Sequence, residues 1–325
     1  MKLIPQKRND EVRKRRFTPN SFGFFRTLGI AIPGFVLLAT LFVQSACKPK
    51  ESDDSVAIAI AAAAVAANSP ASCVSTTTTN VNPGTCTVVG AVNNGADDLG
   101  LGGPTCTTQI DAAAPCWMKE NFHCVTITVS GNNYVITTND LPPYKSYYYG
   151  VASGFHEAMG TGRFGNPNSI AAQNITFTIP TTPTCTSNVS STSGAGLDAL
   201  GVTVHGVVIF NNQAAPGDSL ATEYQTMDQS EGHPQNTGKY HHHTEPYKIT
   251  QDGSELVGIM LDGFPIYGKK TQEGAYPALD NVTHTRTCTT THFPNGTYCY
   301  HVGNGTGVSG YLIGSYFRGV KGTVN

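Results

Sequence analysis

The chain has 325 residues, enough for one large domain or two ordinary ones, and only 13% of them are charged while 39% are apolar. With 35 glycines and abundant Thr, Ser and Asn, this composition favours strands and turns and excludes a coiled coil. A multi-span membrane protein is excluded because only one stretch is apolar enough to span. Residues 1–46 hold eight Lys or Arg and two Asp or Glu, whereas the remaining residues hold 12 Lys or Arg and 20 Asp or Glu, a net charge of 12 − 20 = −8. This negative part of the chain offers no basic surface that would bind nucleic acid.

The first segment has the pattern of an export signal. Residues 1–46 begin with a basic region, continue with an apolar run at 28–43, and end just before Cys47. Small residues before a cysteine are similar to the lipobox of bacterial lipoproteins, so we predict cleavage before Cys47 and lipidation of that residue. An uncleaved anchor helix is the alternative.

Either arrangement predicts a body that is exported and tethered to a membrane. We expect a bacterial cell-envelope protein, in the periplasm or at the outer membrane, whose one predicted partner is the membrane that holds the lipid anchor. The sequence names no protein partner.

Two segments separate this signal from the main domain. Residues 47–70 begin polar and turn Ala-rich, as expected of a flexible tether, and residues 71–124 are rich in cysteine. Eight cysteines remain besides Cys47, and an even count in an exported chain favours disulfides. Because residues 71–124 lack the long apolar runs that would build a hydrophobic core, we expect disulfides to stabilise this segment. The sequence leaves the pairing open for Cys73, Cys86, Cys106, Cys116, Cys124 and Cys185.

The last two cysteines stand apart from the others. Cys288 and Cys299 flank the turn signal Pro294-Asn295-Gly296. A hairpin at that turn would bring the two residues together, so we predict a disulfide between them.

Residues 125–325 have the pattern of a mainly β domain. Apolar and polar residues alternate in short runs bounded by Gly, Asn and Pro, and no long 3.6-residue period is visible. We expect an antiparallel, sandwich-like domain with long loops. The predicted strands lie at 125–129, 134–138, 174–180, 202–210, 256–261 and 297–302.

Several segments in this domain carry a resemblance to a known family. The order Tyr240-His241-His242-His243, then residues 256–268 (LVGIMLDGFPIYG), then Tyr298-Cys299-Tyr300-His301 resembles the YHYH domain family, named for a Tyr-His-Tyr-His tetrad. The resemblance implies an exported protein, and it brings no agreed activity with it.

The chain departs from the tetrad at two positions. His242 stands where the second Tyr is expected, and Cys299 stands where the first His of the second tetrad is expected. If Cys299 is bridged to Cys288, a ligand has been exchanged for a covalent staple.

The two tetrads predict a metal site. Residues two apart on a strand share a face, so His241 and His243 point the same way while His242 points the other way. Two such imidazoles can hold one ion with bonds of about 2.0–2.1 Å. The resemblance offers His301, in the second tetrad, as the third ligand.

Asp262 follows a buried-looking strand and would either bind the ion or fix the tautomer of a ligating histidine. A turn-forming Asp-Gly is its alternative role. His205 and His233 are reserve ligands, and the ion would be Zn or Cu, both of which imidazole suits.

Three functions therefore stay open. The first is a membrane-anchored lipoprotein that binds a transition metal, and the second is a metal-dependent extracytoplasmic enzyme. The third is a structural or interaction lipoprotein without metal, in which Tyr and His side chains satisfy one another by hydrogen bonds. No serine-nucleophile elbow, zincin motif, phosphate-binding loop or dinucleotide fingerprint is present.

Overall fold

A computed structural model of the protein describes residues 91–325, except for 94, 187–189, 194–198, 216–217 and 306–309. The predicted signal, Cys47, the tether, Cys73 and Cys86 lie outside the described residues. Within the described part of the chain, no helix is both long and apolar enough to cross a membrane.

The described residues form a mainly β structure, as the sequence predicts. Helices are short: α1 at Cys116–Asn121, α2 at Leu220–Tyr224, and a 3-10 helix at Tyr147–Tyr149. The strands are β1 Val92–Asn93, β2 Gln109–Ile110, β3 Thr126–Ser130, β4 Asn133–Thr138, β5 Ile175–Pro180, β6 Gly201–Thr203, β7 Val208–Ile209, β8 His233–Pro234, β9 Tyr240–His242, β10 Leu256–Met260, β11 Pro265–Tyr267, β12 Thr285–Cys288, β13 Thr297–His301 and β14 Thr323–Val324.

The first sheet has six described strands, in the order β1-β2-β3-β4-β5-β14. Its centre is the predicted hairpin of β3 and β4, in register from Thr126↔Thr137 to Ser130↔Asn133, with Gly131 at φ +56° in the turn. Strands β1 and β2 come from the cysteine-rich segment, which a disulfide between Cys106 and Cys124 ties down.

The second sheet has eight described strands, in the order β12-β13-β11-β10-β6-β7-β9-β8. Most neighbouring strands are antiparallel, as expected, but β7 with β9 and β11 with β13 are parallel pairs, as is β2 with β3 in the first sheet. Both sheets are therefore mixed. Parallel pairing needs long connections, which the long loops of this chain supply.

The predicted strand at 202–210 is folded as a hairpin of β6 and β7. The turn lies at His205-Gly206, where Gly206 has φ +74° and a Cβ would meet the carbonyl oxygen of Cys124 at 2.7 Å. Gly263, in the turn between β10 and β11, has φ +86°. Only glycine adopts such a backbone without strain, so each apolar run reverses direction at its glycine.

The two halves of the eight-stranded sheet repeat one another. Val202 of β6 pairs with Val208 of β7, and Ile259 of β10 pairs with Pro265 of β11, so both pairs are related by one offset, 259 − 202 = 265 − 208 = 57. Val202 also pairs with Ile259 across the antiparallel centre of the sheet. The register thus has an internal pseudo-twofold axis between β6 and β10.

The outer parallel strands follow the same relation. Ile209 of β7 pairs with His242 of β9, and its equivalent Ile266 of β11 pairs with Tyr300 of β13. His242 and Tyr300 are therefore equivalent positions of the two halves.

The two sheets share one hydrophobic core. Ile136 and Phe177 of the first sheet and Val202, Ile259 and Ile266 of the second belong to the same buried cluster, all fully shielded from solvent. Burial of each such side chain contributes about 1.5–3 kcal/mol to the free energy of unfolding. The shared core therefore holds the eight-stranded sheet against the first sheet.

Candidate metal centre

Three buried histidines converge at one end of the eight-stranded sheet. His233, His241 and His243 are 5%, 3% and 3% exposed, and each offers one ligand atom such that the three atoms all lie within 4.8 Å of one another. This is the one group of three or more potential ligand residues within the described part of the chain.

Strand register brings these side chains together. His233 on β8 lies directly opposite His241 on β9, across a hairpin whose turn contains Gly238 at φ +83°. His243 lies two residues beyond His241 and therefore on the same side of the extended chain. The ring centroids of His233 and His241 are 4.7 Å apart, and those of His241 and His243 are 4.8 Å apart.

Hydrogen bonds fix the tautomers of His241 and His243. The Nδ1 of His241 lies 3.2 Å from the carbonyl oxygen of Lys239, and the Nδ1 of His243 lies 2.7 Å from that of Asn211. A carbonyl oxygen only accepts, so both Nδ1 atoms must carry the proton. In the neutral ring, each Nε2 then keeps an unprotonated lone pair.

His233 is held in the same tautomer by a hydroxyl group. Its Nδ1 lies 2.6 Å from the Oγ1 of Thr226, whose single hydroxyl proton is donated to the carbonyl oxygen of Glu223 at 2.8 Å. Thr226 therefore accepts from His233, and the Nε2 of His233 is also left unprotonated.

These assignments leave two lone pairs facing each other. The Nε2 atoms of His241 and His243 are 3.1 Å apart, and neither has a proton to share. Burial lowers the pKa of His241 well below its usual value and that of His243 to about 4, with neighbouring histidines depressing the pKa of His241 further. Burial also lowers the pKa of His233 to about 3. Protonation therefore does not relieve the repulsion at neutral pH, whereas a bound cation would.

The separation of one pair of nitrogens fits a small transition-metal ion. Tetrahedral bonds of about 2.0–2.1 Å place ligand nitrogens about 3.4 Å apart. The 3.1 Å between the Nε2 atoms of His241 and His243 is close to that value. Each Nδ1 already donates to an oxygen, the arrangement that orients ligating histidines in metal sites.

Two neighbouring side chains complete the surroundings. The Oε2 of Glu223, on α2, lies 3.5 Å from the Nε2 of His243, and burial raises the pKa of this carboxyl group. Phe210 stacks on His241 with ring centroids 3.7 Å apart and closes one side of the group. Glu223 is thus placed to be a fourth ligand or to accept a proton from a bound water.

His301 does not join this group, contrary to its predicted role as third ligand. Its strand β13 is separated from β9 by four strands, β11, β10, β6 and β7. Its Nδ1 contacts the carbonyl oxygen of Gly268 at 2.8 Å, and its Nε2 accepts a hydrogen bond from the Nε of Arg286 at 3.1 Å. His233, a reserve ligand by sequence, completes the group of three histidines instead.

Asp262 contacts a tyrosine rather than a histidine. Its Oδ2 accepts from the hydroxyl of Tyr300 at 2.5 Å and from the backbone N–H of Gly319 at 2.9 Å. Burial raises the pKa of Asp262 to about 6, although these hydrogen bonds oppose the shift. Its place is the core next to the β10–β11 turn, so the predicted contact with a ligating histidine is not found.

The other histidines near the tetrad serve different contacts. His242 points away from His241 and His243, as predicted, and its Nε2 meets the hydroxyl of Tyr144 at 2.8 Å while its Nδ1 meets the carbonyl oxygen of Glu231 at 2.8 Å. His205, the other reserve ligand, lies in the β6–β7 turn with its ring centroid 6.3 Å from that of Tyr144.

The structure joins Cys288 and Cys299 by a disulfide, with Cα atoms 6.0 Å apart across β12 and β13. The predicted pairing is therefore found, and it removes Cys299 from the set of available metal ligands.

Sequence reasoning missed Glu223 and Thr226. Neither belongs to a recognisable motif, because both act from α2 and the loop after it, brought to the sheet by folding. A signal for His233 was present: Asn236-Thr237-Gly238 is a turn sequence, and a hairpin centred on it places His233 opposite His241.

Comparison with known proteins identifies one part of the chain. A family model described as YHYH protein matches residues 176–278, a segment that contains the first tetrad, α2 and the β10–β11 hairpin. The resemblance inferred from the motifs is thereby confirmed for this segment. No curated protein and no solved structure matches the chain.

Proposed function

We propose that this chain, which carries a YHYH domain over residues 176–278, is an exported, membrane-anchored lipoprotein that binds one Zn or Cu ion through His233, His241 and His243. The metal proposal is supported by the geometry of the three rings. The lipoprotein proposal is supported by the basic and apolar pattern of residues 1–46 and by Cys47 after it.

One observation carries the metal proposal. The Nε2 atoms of His241 and His243 are 3.1 Å apart, and both Nδ1 protons are committed to carbonyl oxygens. In a buried site without an ion, this arrangement places two unprotonated acceptors against each other. A divalent cation accepts both lone pairs at once and turns the repulsion into two bonds.

The same atoms support binding more directly than catalysis. The histidines are almost fully buried, and Glu223 is near enough to close the coordination sphere. A fourth protein ligand favours a closed site that stores, transfers or is stabilised by the ion.

A metal-dependent extracytoplasmic enzyme is the second candidate, and Glu223 is the observation that favours it. If the fourth position holds water, the carboxylate of Glu223 beside His243 would take the proton from that water. The two roles differ in a measurable way. As a ligand, Glu223 contributes to affinity, and Glu223→Gln weakens metal binding about 10-fold or more; as a base it leaves affinity nearly unchanged.

Metal content tests the proposal. The exported chain, produced from residue 48 onward without added histidines, should bind one Zn²⁺ or Cu²⁺ per chain in elemental analysis and calorimetry. The double variant His241→Ala/His243→Ala should bind none. His301→Ala is the matched control, because this histidine lies in the other half of the sheet and should leave binding intact. If the folded parent protein binds neither ion, the metal proposal is wrong, and the result supports a structural lipoprotein without metal.

Anchoring is tested separately on the native protein. Mass spectrometry should find an acylated N-terminal peptide beginning at Cys47 and no peptide from residues 1–46. Recovery of the apolar run 28–43 attached to the body would instead support an uncleaved anchor helix.

A further inference from the structure

Residues around the metal centre have equivalents in the other half of the eight-stranded sheet. The offset of 57 between β6–β7 and β10–β11 makes Asn211 equivalent to Gly268, since 211 + 57 = 268. The pairing of Ile209 with His242 and of Ile266 with Tyr300 sets the outer strands in the same relation.

One ligand histidine is preserved in both halves. Because His242 is equivalent to Tyr300, His243 is equivalent to His301. The Nδ1 of His243 contacts the carbonyl oxygen of Asn211 at 2.7 Å, and the Nδ1 of His301 contacts that of Gly268 at 2.8 Å. Equivalent residues thus hold both rings in the same tautomer, with Nε2 unprotonated in each.

The other two ligands are replaced in the second half. His241 is equivalent to Cys299, which is bonded to Cys288. His233 lies opposite His241 on the edge strand, and Arg286 lies opposite Cys299 on the other edge strand, so Arg286 takes the position of His233.

Arg286 supplies a positive charge at the vacated position. Its Nε donates to the Nε2 of His301 at 3.1 Å, the same separation that joins the Nε2 atoms of His241 and His243. In the second half, a guanidinium N–H donates to the Nε2 of His301, the histidine common to both halves. In the described residues of the first half, the Nε2 of His243 faces the Nε2 of His241 and the Oε2 of Glu223 instead.

We infer that the second half of the sheet is a latent copy of the metal centre, in which Arg286 stands in place of the ion and the Cys288–Cys299 disulfide replaces the second ligand. The first half is the copy that retains its ligands. This inference rests on the proposed metal binding for the identity of the ion, but its geometry comes from the register alone.

The latent site predicts a gain of binding. In the full exported chain, Arg286→His with Cys299→His and Cys288→Ser recreates the ligand set of the first half around His301. The stoichiometry measured by calorimetry with ZnCl₂ should rise from one to two Zn²⁺ per chain. When His241→Ala/His243→Ala is added, the count should fall back to one, now held by the second half.

A milder substitution guards against misfolding after loss of the disulfide. Arg286→His alone keeps the disulfide and places two imidazoles, at 286 and 301, on adjacent strands. Its Tm in the His241→Ala/His243→Ala background should rise by several degrees with excess Zn²⁺. Arg286→Gln in the same background is the matched control and should show no zinc-dependent shift, because its amide is a poor zinc ligand.

The outcomes separate the two proposals. If the parent chain binds no metal but the redesigned half gains one ion, the proposed function fails and the latent site stands. If the parent binds one ion and the folded Arg286→His and triple variants gain neither a second ion nor a zinc-dependent shift in Tm, the latent site is overturned.

Discussion

Acid stability offers a sharp test of how His243 is buried. The pKa of His243 is lowered by burial to about 4, whereas an imidazole in the unfolded chain titrates near 6.5. The folded state therefore binds fewer protons than the unfolded state between these values. Its contribution to stability is complete above pH 6.5 and is lost as pH falls toward 4.

The size of this loss follows from the two pKa values. At pH 5 the imidazole of the unfolded chain is about 97% protonated, while that of the folded protein is about 10% protonated. Lowering the pH from 7 to 5 therefore costs about 2 kcal/mol through His243 alone. Replacing His243 by Gln removes the titrating group, so the variant should lose about 2 kcal/mol less stability than the parent over this interval.

Urea unfolding of the metal-free protein at pH 7 and pH 5, followed by tryptophan fluorescence and circular dichroism, measures this difference. Histidines remote from His243 titrate alike in both proteins and cancel in the comparison, whereas burial remains the largest cause that lowers the pKa of His233 and His241 in both. His156→Gln, at a half-buried position outside the metal centre, is the control for the substitution itself. An equal pH dependence in the parent and in His243→Gln would refute the buried neutral histidine.

Three further perturbations test the framework around the site. Asp262 has its pKa raised to about 6 by burial, so its ionisation opposes folding as pH rises from 4 to 7. Asp262→Asn should remove about 2 kcal/mol of that pH-dependent loss in urea titrations, and an unchanged profile would contradict its burial. Gly263→Ala should lower stability by at least about 2 kcal/mol more than Gly274→Ala. Both glycines have positive φ, but only at Gly263 would an added Cβ lie 2.6 Å from a backbone oxygen. Equal losses of Tm would argue against that contact. Cys288→Ser/Cys299→Ser should cost about 3 kcal/mol in urea unfolding, since the bridge closes a loop of sequence separation 11, and mass spectrometry of the parent should find the cross-linked peptide.

Local pattern determined much of the fold. The β3–β4 hairpin was predictable because alternation and a Gly-Asn turn act over a few residues. The pairing of Cys288 with Cys299 and the opposite directions of His242 and its two neighbours were predictable for the same reason. Each depends on the geometry of a single turn or a single strand.

One local pattern was interpreted incorrectly. The apolar run 202–210 predicts one strand, yet it forms β6 and β7 because Gly206 adopts positive φ in the turn. A continuous apolar run buried on both faces carries no alternation to show where the chain reverses, so the glycine was the remaining signal.

The exclusion of His301 from the histidine group was decided by tertiary structure alone. Both His233 and His301 have histidine chemistry, and the tetrad resemblance favours His301. The strand order instead places His233 beside His241, because β8 pairs directly with β9, whereas four strands separate β13 from β9. That order is set by the parallel pairings and by packing on the first sheet, which join residues far apart in sequence. Alternation tells which way a side chain points on its own strand, but only the packed sheet decides which strands lie next to each other.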